Sequence, residues 1–226
     1  MGLQDELDEQ WRRTRERLPE VRDAYEALVR DLAQSGLIDS ARKAGDEMPA
    51  FELPSVEGRL ISSDELLARG PVVMSFFRGG WCPYCTLELR ALQRALPEVE
   101  RLGATLVAVT PDTGAALADA KRNNALAYEV LSDVDNGLGL ALGIIFRVPE
   151  AIRALYQRLG IDLGSLHGNR HDVWLLPLPA TYIVDASGII RHAELEPDFK
   201  RRMEPKEIIR VLGELAVGGG SGARQG

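Results

Sequence analysis

From Ala44 onward, short apolar runs alternate with amphipathic segments, the order expected of strands and crossover helices around a central sheet. Pro71–Phe77 reads as a buried strand, Pro83–Leu102 as a helix with Leu89, Leu92, Leu96 and Val99 on one face, and Ala104–Thr110 as a second buried strand. Two apolar parallel strands joined by a helix make a βαβ unit, with both sheet faces covered and a functional loop at the carboxyl end of the first strand. Further along, the pattern predicts a helix over Thr113–Asn124, a short strand near Val130, and helix between Gly137 and Gly160 with Pro149 starting its last piece. Thr181–Val184 and Ile189–Leu195 read as a hairpin closed by the turn Asp185–Gly188, and a final helix spans about Pro205 to Val217. Residues 161–177 carry no clear pattern.

Ahead of this region, Trp11, Val21, Tyr25, Leu28, Val29 and Leu32 recur at helical spacing, and Pro19 predicts a break between two helices. Their apolar face suits packing on the main domain or a contact in a homodimer. The expected organisation is a helical extension over residues 1–43, one α/β domain over 44–217 with a central mixed sheet flanked by helices, and a disordered glycine-rich tail over 218–226.

Composition narrows the partners. The 226 residues, 45% of them hydrophobic, suffice for one domain of ordinary size. With 27 basic against 34 acidic side chains the net charge is −7, and without a long Lys/Arg run nucleic acid is not an expected partner. Charges spread through the first thirty residues leave no signal-peptide core or spanning helix there, so a cytoplasmic protein without a membrane anchor is expected.

The candidate chemistry sits after the first buried strand, where Arg78-Gly79-Gly80-Trp81 leads into Cys82-Pro83-Tyr84-Cys85 and directly into the helix. Both cysteines, the only two in the chain, thus fall in a helix's first turn. There the free N–H groups, the helix dipole and nearby Arg78 favour a thiolate, and such sites lower a cysteine pKa from about 8.5 to between roughly 3.5 and 7.5. Pro83 suits the first helical position, and a spacing of three lets Cys85 capture an oxidised Cys82. A zinc site is disfavoured because His167, His171 and His192 are the only other nitrogen or sulfur ligands and no second Cys-x-x-Cys exists. His167 and His171 read as surface positions, and Asp133-Val-Asp135-Asn-Gly137 as helix capping in preference to a calcium loop.

Trp81-Cys-Pro-Tyr-Cys85 at a strand-to-helix junction resembles the active site of thioredoxin-like oxidoreductases. The segments Ala44–Gly58, Pro71–Trp81, Val130–Asp133 and Pro179–Gly188 resemble successive signatures of the peroxiredoxin (AhpC/TSA) family in its Cys-x-x-Cys branch, across residues 44 to 215. The resemblance implies a thioredoxin-like fold and reduction of hydrogen peroxide or organic hydroperoxides. Cys82 and Cys85 would be catalytic, oxidised to a disulfide and recycled by thioredoxin or a similar thiol donor, with no metal or organic cofactor. Arg78, Trp81 and Pro179 would contact substrate.

Two departures from the family pattern shape the expectations. Counting from Cys82 puts Gly79 in the family's threonine slot; counting from Cys85 puts Cys82 there and Glu88 where the family often has a glutamate. Both sulfurs therefore stay candidates for the attacking role, with Cys82 favoured by its place at the helix's exposed end. The slot of the family's peroxide-binding arginine holds Pro179, which leaves Arg78 or Arg170 to supply the cation. Pro179 resembles the cis-proline of thioredoxins, so a cis Leu178–Pro179 bond facing Cys82 is predicted, and disulfide exchange becomes an alternative activity. A non-catalytic redox sensor signalling through the N-terminal helices is the third.

Overall fold

The computed structural model describes residues 2–168 and 174–219. Its helices are α1 (Leu3–Arg17), α2 (Pro19–Gln34), α3 (Leu37–Ser40), α4 (Ser63–Leu67), α5 (Pro83–Arg101), α6 (Gly114–Asn123), α7 (Gly137–Leu142), α8 (Glu150–Arg158), α9 (Leu163–Leu166) and α10 (Pro205–Gly219). The strands are β1 (Glu52–Pro54), β2 (Leu60–Ser62), β3 (Val72–Phe76), β4 (Thr105–Thr110), β5 (Glu129–Ser132), β6 (Ile145–Arg147), β7 (Leu175–Pro177), β8 (Ala180–Val184) and β9 (Ile190–Leu195).

Five strands form the central sheet in the order β5-β4-β3-β8-β9. β3 pairs parallel to β4 and antiparallel to β8, which makes the sheet mixed. Every residue of β3 and β8 is buried, as their unbroken apolar runs require of strands covered on both faces. The β3–α5–β4 unit is the one the sequence pattern predicts, with bounds shifted by a residue.

The two N-terminal helices meet at Leu18, where Pro19 cannot donate to the preceding turn and opens α2. They are stitched to the domain from several sides. Leu7 is fully buried, and Arg94 of α5 pairs with Glu6 at 2.9 Å. The Glu204 carboxylate, just before α10, accepts from the backbone N–H of Gln4 at 2.8 Å and of Leu3 at 3.2 Å, satisfying donors that α1 leaves free.

Four expectations are revised. The stretch read as helix between Gly137 and Gly160 contains β6, which pairs with β7 in a separate antiparallel ribbon; the alternating burial of a three-residue strand is too short to register against flanking helix. The Leu178–Pro179 bond is trans. Leu178 N–H donates to Ile144 O at 2.8 Å and Ala180 is paired with Phe76, so the chain runs from one strand to the next without a reversal and the ordinary trans preference holds. His167 is buried, with 3% exposure, because α9 folds it inward. The helix ending the chain includes Gly218 and Gly219, which the expected tail had claimed; residues 220–226, with Arg170 and His171, lie outside the described residues.

If α1 belongs to the cooperative core, Leu7→Ala lowers unfolding stability by about 2–5 kcal/mol, the range for truncating a fully buried leucine. Chemical denaturation should show this in a single transition. A loss under about 1 kcal/mol, or a separate early transition, would mean that α1 docks loosely.

Candidate active site

β3 ends at Phe76, and Arg78–Trp81 carries the chain over to α5. Gly79 has a φ of +145°, and a Cβ there would lie 2.3 Å from Trp81 Nε1, so this turn needs glycine. Cys82 is the N-cap of α5, with extended dihedrals, and its carbonyl accepts the first helical hydrogen bond from Thr86 N at 3.0 Å. Cys85 lies in the first turn. Both are free thiols and neither has exposed surface.

A single guanidinium serves Cys82. Arg78 is 2% exposed, donates from Nη2 to Cys82 Sγ at 2.9 Å and from Nη1 to Tyr156 Oη at 3.2 Å, and among the described residues its Nε has no partner. Aromatic rings enclose it: the Phe199 ring centre is 4.2 Å and the Trp81 ring centre 5.4 Å from the guanidinium carbon. Burial works against a thiolate at Cys82. The hydrogen bond from Cys85 and the charges of Arg78 and Arg202 outweigh it, and Cys82 lies well below the usual thiol range. Cys85 is pushed the other way, by burial first and then by donating to Cys82 and facing its charge. The pair is thus poised as one thiolate and one thiol.

A second cation backs the second sulfur. Arg202 reaches within 3.8 Å of Cys85 Sγ from Nη2 while its Nε bonds Glu88 Oε2 at 2.6 Å, both side chains being buried. The Phe199 carbonyl and, at 2.7 Å, the Arg201 carbonyl also accept from Arg202 Nη1. Burial pushes the Glu88 carboxyl up, and Arg202 with the Ser75 hydroxyl, 3.3 Å from Oε1, opposes that rise. Glu88 is one turn below Cys85 on α5, the position at which counting from Cys85 had placed it.

On the other side of the loop, Asp112 Oδ2 accepts from Gly80 N–H at 2.7 Å, tying the turn to the end of β4. Burial raises the Asp112 carboxyl to about 7 and lowers buried His167 to about 4. His167 Nε2 is 3.9 Å from Asp112 Oδ1, so with the imidazole neutral this is no ion pair at neutral pH. A cavity of about 420 Å³ opens beside them, lined by Gly80, Trp81, Thr86, Arg90 and Asp112 among others.

Of the residues singled out by sequence, Cys82, Cys85, Arg78 and Trp81 come together here. Pro179 is buried at the entry to β8, with a trans bond where a cis one was expected. Asp133 caps α7, accepting from Leu138 N and Gly139 N at 2.8 Å each, in line with the capping reading. Sequence reasoning missed Arg202, Tyr156, Tyr25, Phe199 and Asp112. Only Glu88 had left a signal, through the register of the motif.

Comparison with known proteins bears on this geometry. The family model described as the AhpC/TSA family matches residues 44–193. Peroxiredoxin Q, chloroplastic, of Oryza sativa subsp. japonica is 23% identical over 192 residues, covering 85% of this chain and 76% of that protein. The thiol:disulfide interchange protein DsbE of Pseudomonas aeruginosa is 30% identical over 148 residues, covering 66% of this chain and 64% of that protein. Among solved structures, peroxidoxin BcpB from Mycobacterium tuberculosis superposes with a TM-score of 0.60 at 20% identity, covering 76% of this chain and 97% of that one, which shows a shared fold. With the family match spanning well over half of the chain and the peroxiredoxin fold beneath it, this protein belongs to the AhpC/TSA family.

Proposed function

We propose that the protein is a thiol-dependent peroxidase in which Cys82 attacks the peroxide and Cys85 resolves the product. The observation that carries the reading is the Arg78 guanidinium held 2.9 Å from a buried Cys82 sulfur, which the hydrogen bond from Cys85 and the charge of Arg78 bring well below the usual thiol range. Family membership and the peroxiredoxin relatives point to the same chemistry.

In the first step Cys82 Sγ attacks one oxygen of the hydroperoxide. An S–O bond forms, the O–O bond breaks, and the departing alkoxide or hydroxide takes a proton to leave as alcohol or water. Cys82 becomes a sulfenic acid. Cys85 then attacks Cys82 Sγ; the S–S bond forms, the S–O bond breaks, and the sulfenic hydroxyl leaves with the Cys85 proton as water. An external thiol donor, thioredoxin or one like it, returns two electrons and two protons to restore both thiols. Arg78 and Arg202 stabilise the negative charge that moves between the sulfurs and the leaving oxygen. Trp81 walls one side of the guanidinium, and Pro179 enters this reading only as a buried residue at the head of β8.

Because neither sulfur is exposed, substrate reaches Cys82 only as surrounding side chains move, a demand that a small hydroperoxide meets more easily than a folded protein's disulfide. Disulfide exchange loses the support of a cis-proline, yet the likeness to DsbE keeps it as the second reading. A dithiol that must be reduced after each turnover fits a cytoplasmic setting. Among the described residues, no helix is long and apolar enough to cross a membrane.

The role assignment gives opposite outcomes for two variants. Cys82→Ser should abolish fast peroxide consumption in a stopped-flow assay, since a serine hydroxyl is not ionised at neutral pH. Cys85→Ser should keep the first oxidation and accumulate a sulfenic acid on Cys82, detected as a dimedone adduct by mass spectrometry. An inert Cys85→Ser with the adduct on Cys85 in Cys82→Ser would reverse the roles.

The same geometry sets the pH profile. With Cys82 already ionised, the second-order rate with peroxide should stay flat from pH 9 down through neutrality and fall only in acid. An ordinary thiol loses about tenfold per unit below its pKa near 8.5. A rate that drops steeply between pH 8 and 7 would remove the thiolate from the argument.

A further inference from the structure

Arg78 is a buried cation with few anchors. Its polar partners are Cys82 Sγ and Tyr156 Oη, and its remaining surroundings are aromatic faces. Tyr156 lies on α8 without exposed surface, and its ring packs edge-on against Trp81 with centroids 5.1 Å apart. The Tyr156 hydroxyl receives the Arg78 N–H at 3.2 Å. Tyr25 of α2 packs edge-on against Phe199, centroids 4.7 Å apart, and Phe199 is the ring beneath the guanidinium. Tyr25 and Phe199 lie outside residues 44–193, the segment shared with the family model.

We propose that Tyr156 of α8 is the positioning residue that keeps the Arg78 guanidinium on the Cys82 sulfur. The physical argument concerns freedom of motion. A thiolate is one acceptor, and a guanidinium with a single hydrogen bond pivots about it; the second bond, to an oxygen fixed on a helix, removes that rotation. The hydroxyl suits the task because it accepts from Arg78 without adding a competing charge: burial holds Tyr156 far above the ordinary phenol range, so it stays neutral. Tyr25 of α2 reaches the site through Phe199, the ring under the guanidinium.

The inference rests on the assignment of Cys82 as the thiolate, and its test needs no peroxide. Besides Arg78 and Tyr156, the ionisable groups around Cys82 are Cys85, Arg202 and Glu88 on the α5 side, with Tyr25, Tyr84 and Asp112 on other elements. Tyr156→Phe deletes one oxygen, keeps the ring, and leaves those groups in place. The thiolate is titrated by ultraviolet absorbance as the difference from Cys82→Ser in the same background. Tyr156→Phe should raise the midpoint by about one pH unit, a tenfold change in proton affinity. Thermal stability is recorded beside each titration. An unmoved midpoint in Tyr156→Phe overturns the proposal, whether or not stability falls, since lost stability alone marks a packing residue. If the shift appears while the wild-type protein consumes no peroxide, the peroxidase reading fails and this one stands.

Discussion

The contact between a buried guanidinium and a buried thiolate is the constraint around which this molecule is organised. An ion of either sign is costly to take out of water, by several kcal/mol even after the protein relaxes, so neither Arg78 nor an ionised Cys82 would persist alone at this depth. Each makes the other tolerable. The consequence reaches well beyond the motif, because a desolvated guanidinium gains from partners on its other donors and from cover over its faces. Tyr156 takes one donor, Phe199 and Trp81 take the faces, and the elements carrying those side chains must close over the site. That neither cysteine sulfur is exposed follows from the same requirement.

Arg202 and Glu88 repeat this logic a turn further into α5. The pair is desolvated on both sides, and two main-chain carbonyls accept from Arg202 Nη1. Its charge falls next to Cys85, the sulfur that burial first and then Cys82 keep protonated. Ionisation is thus favoured at the N-cap, where Arg78 donates to the sulfur, and disfavoured one turn in, where burial and the neighbouring Cys82 outweigh both cations. The helix terminus contributes in the same direction, since Cys82 faces the free N–H groups at the start of α5.

This arrangement also gives the terminal segments a part in chemistry that the family-matched core would otherwise carry alone. Tyr25 comes from α2, Phe199 and Arg202 from the stretch between β9 and α10, and Glu204 from the same stretch caps α1. The two ends of the chain are therefore joined to each other over the site as well as to the sheet. Asp112 secures the opposite side, holding the Gly80 amide from the end of β4.

The amino-acid sequence by itself determined the parts whose physics is local. The apolar runs of β3 and β4 and the periodic face of α5 define the βαβ unit; Pro19 separates two helices; Cys82 to Cys85 must occupy a first helical turn because Pro83 cannot sit deeper. Arg78, four residues from Cys82, was legible for the same reason. Tertiary structure decided everything that depends on which distant side chain arrives. Arg202 is 117 residues from Cys85, and Tyr156 is 78 from Arg78; no periodicity or motif encodes a meeting across such separations, which is set by how layers stack. His167 looked like a surface residue because a lone histidine at the end of a four-residue helix shows no burial pattern. The trans bond before Pro179 was equally illegible, since an X–Pro bond prefers trans by only about 0.5–1 kcal/mol and its isomer follows from where its two flanking strands anchor the chain.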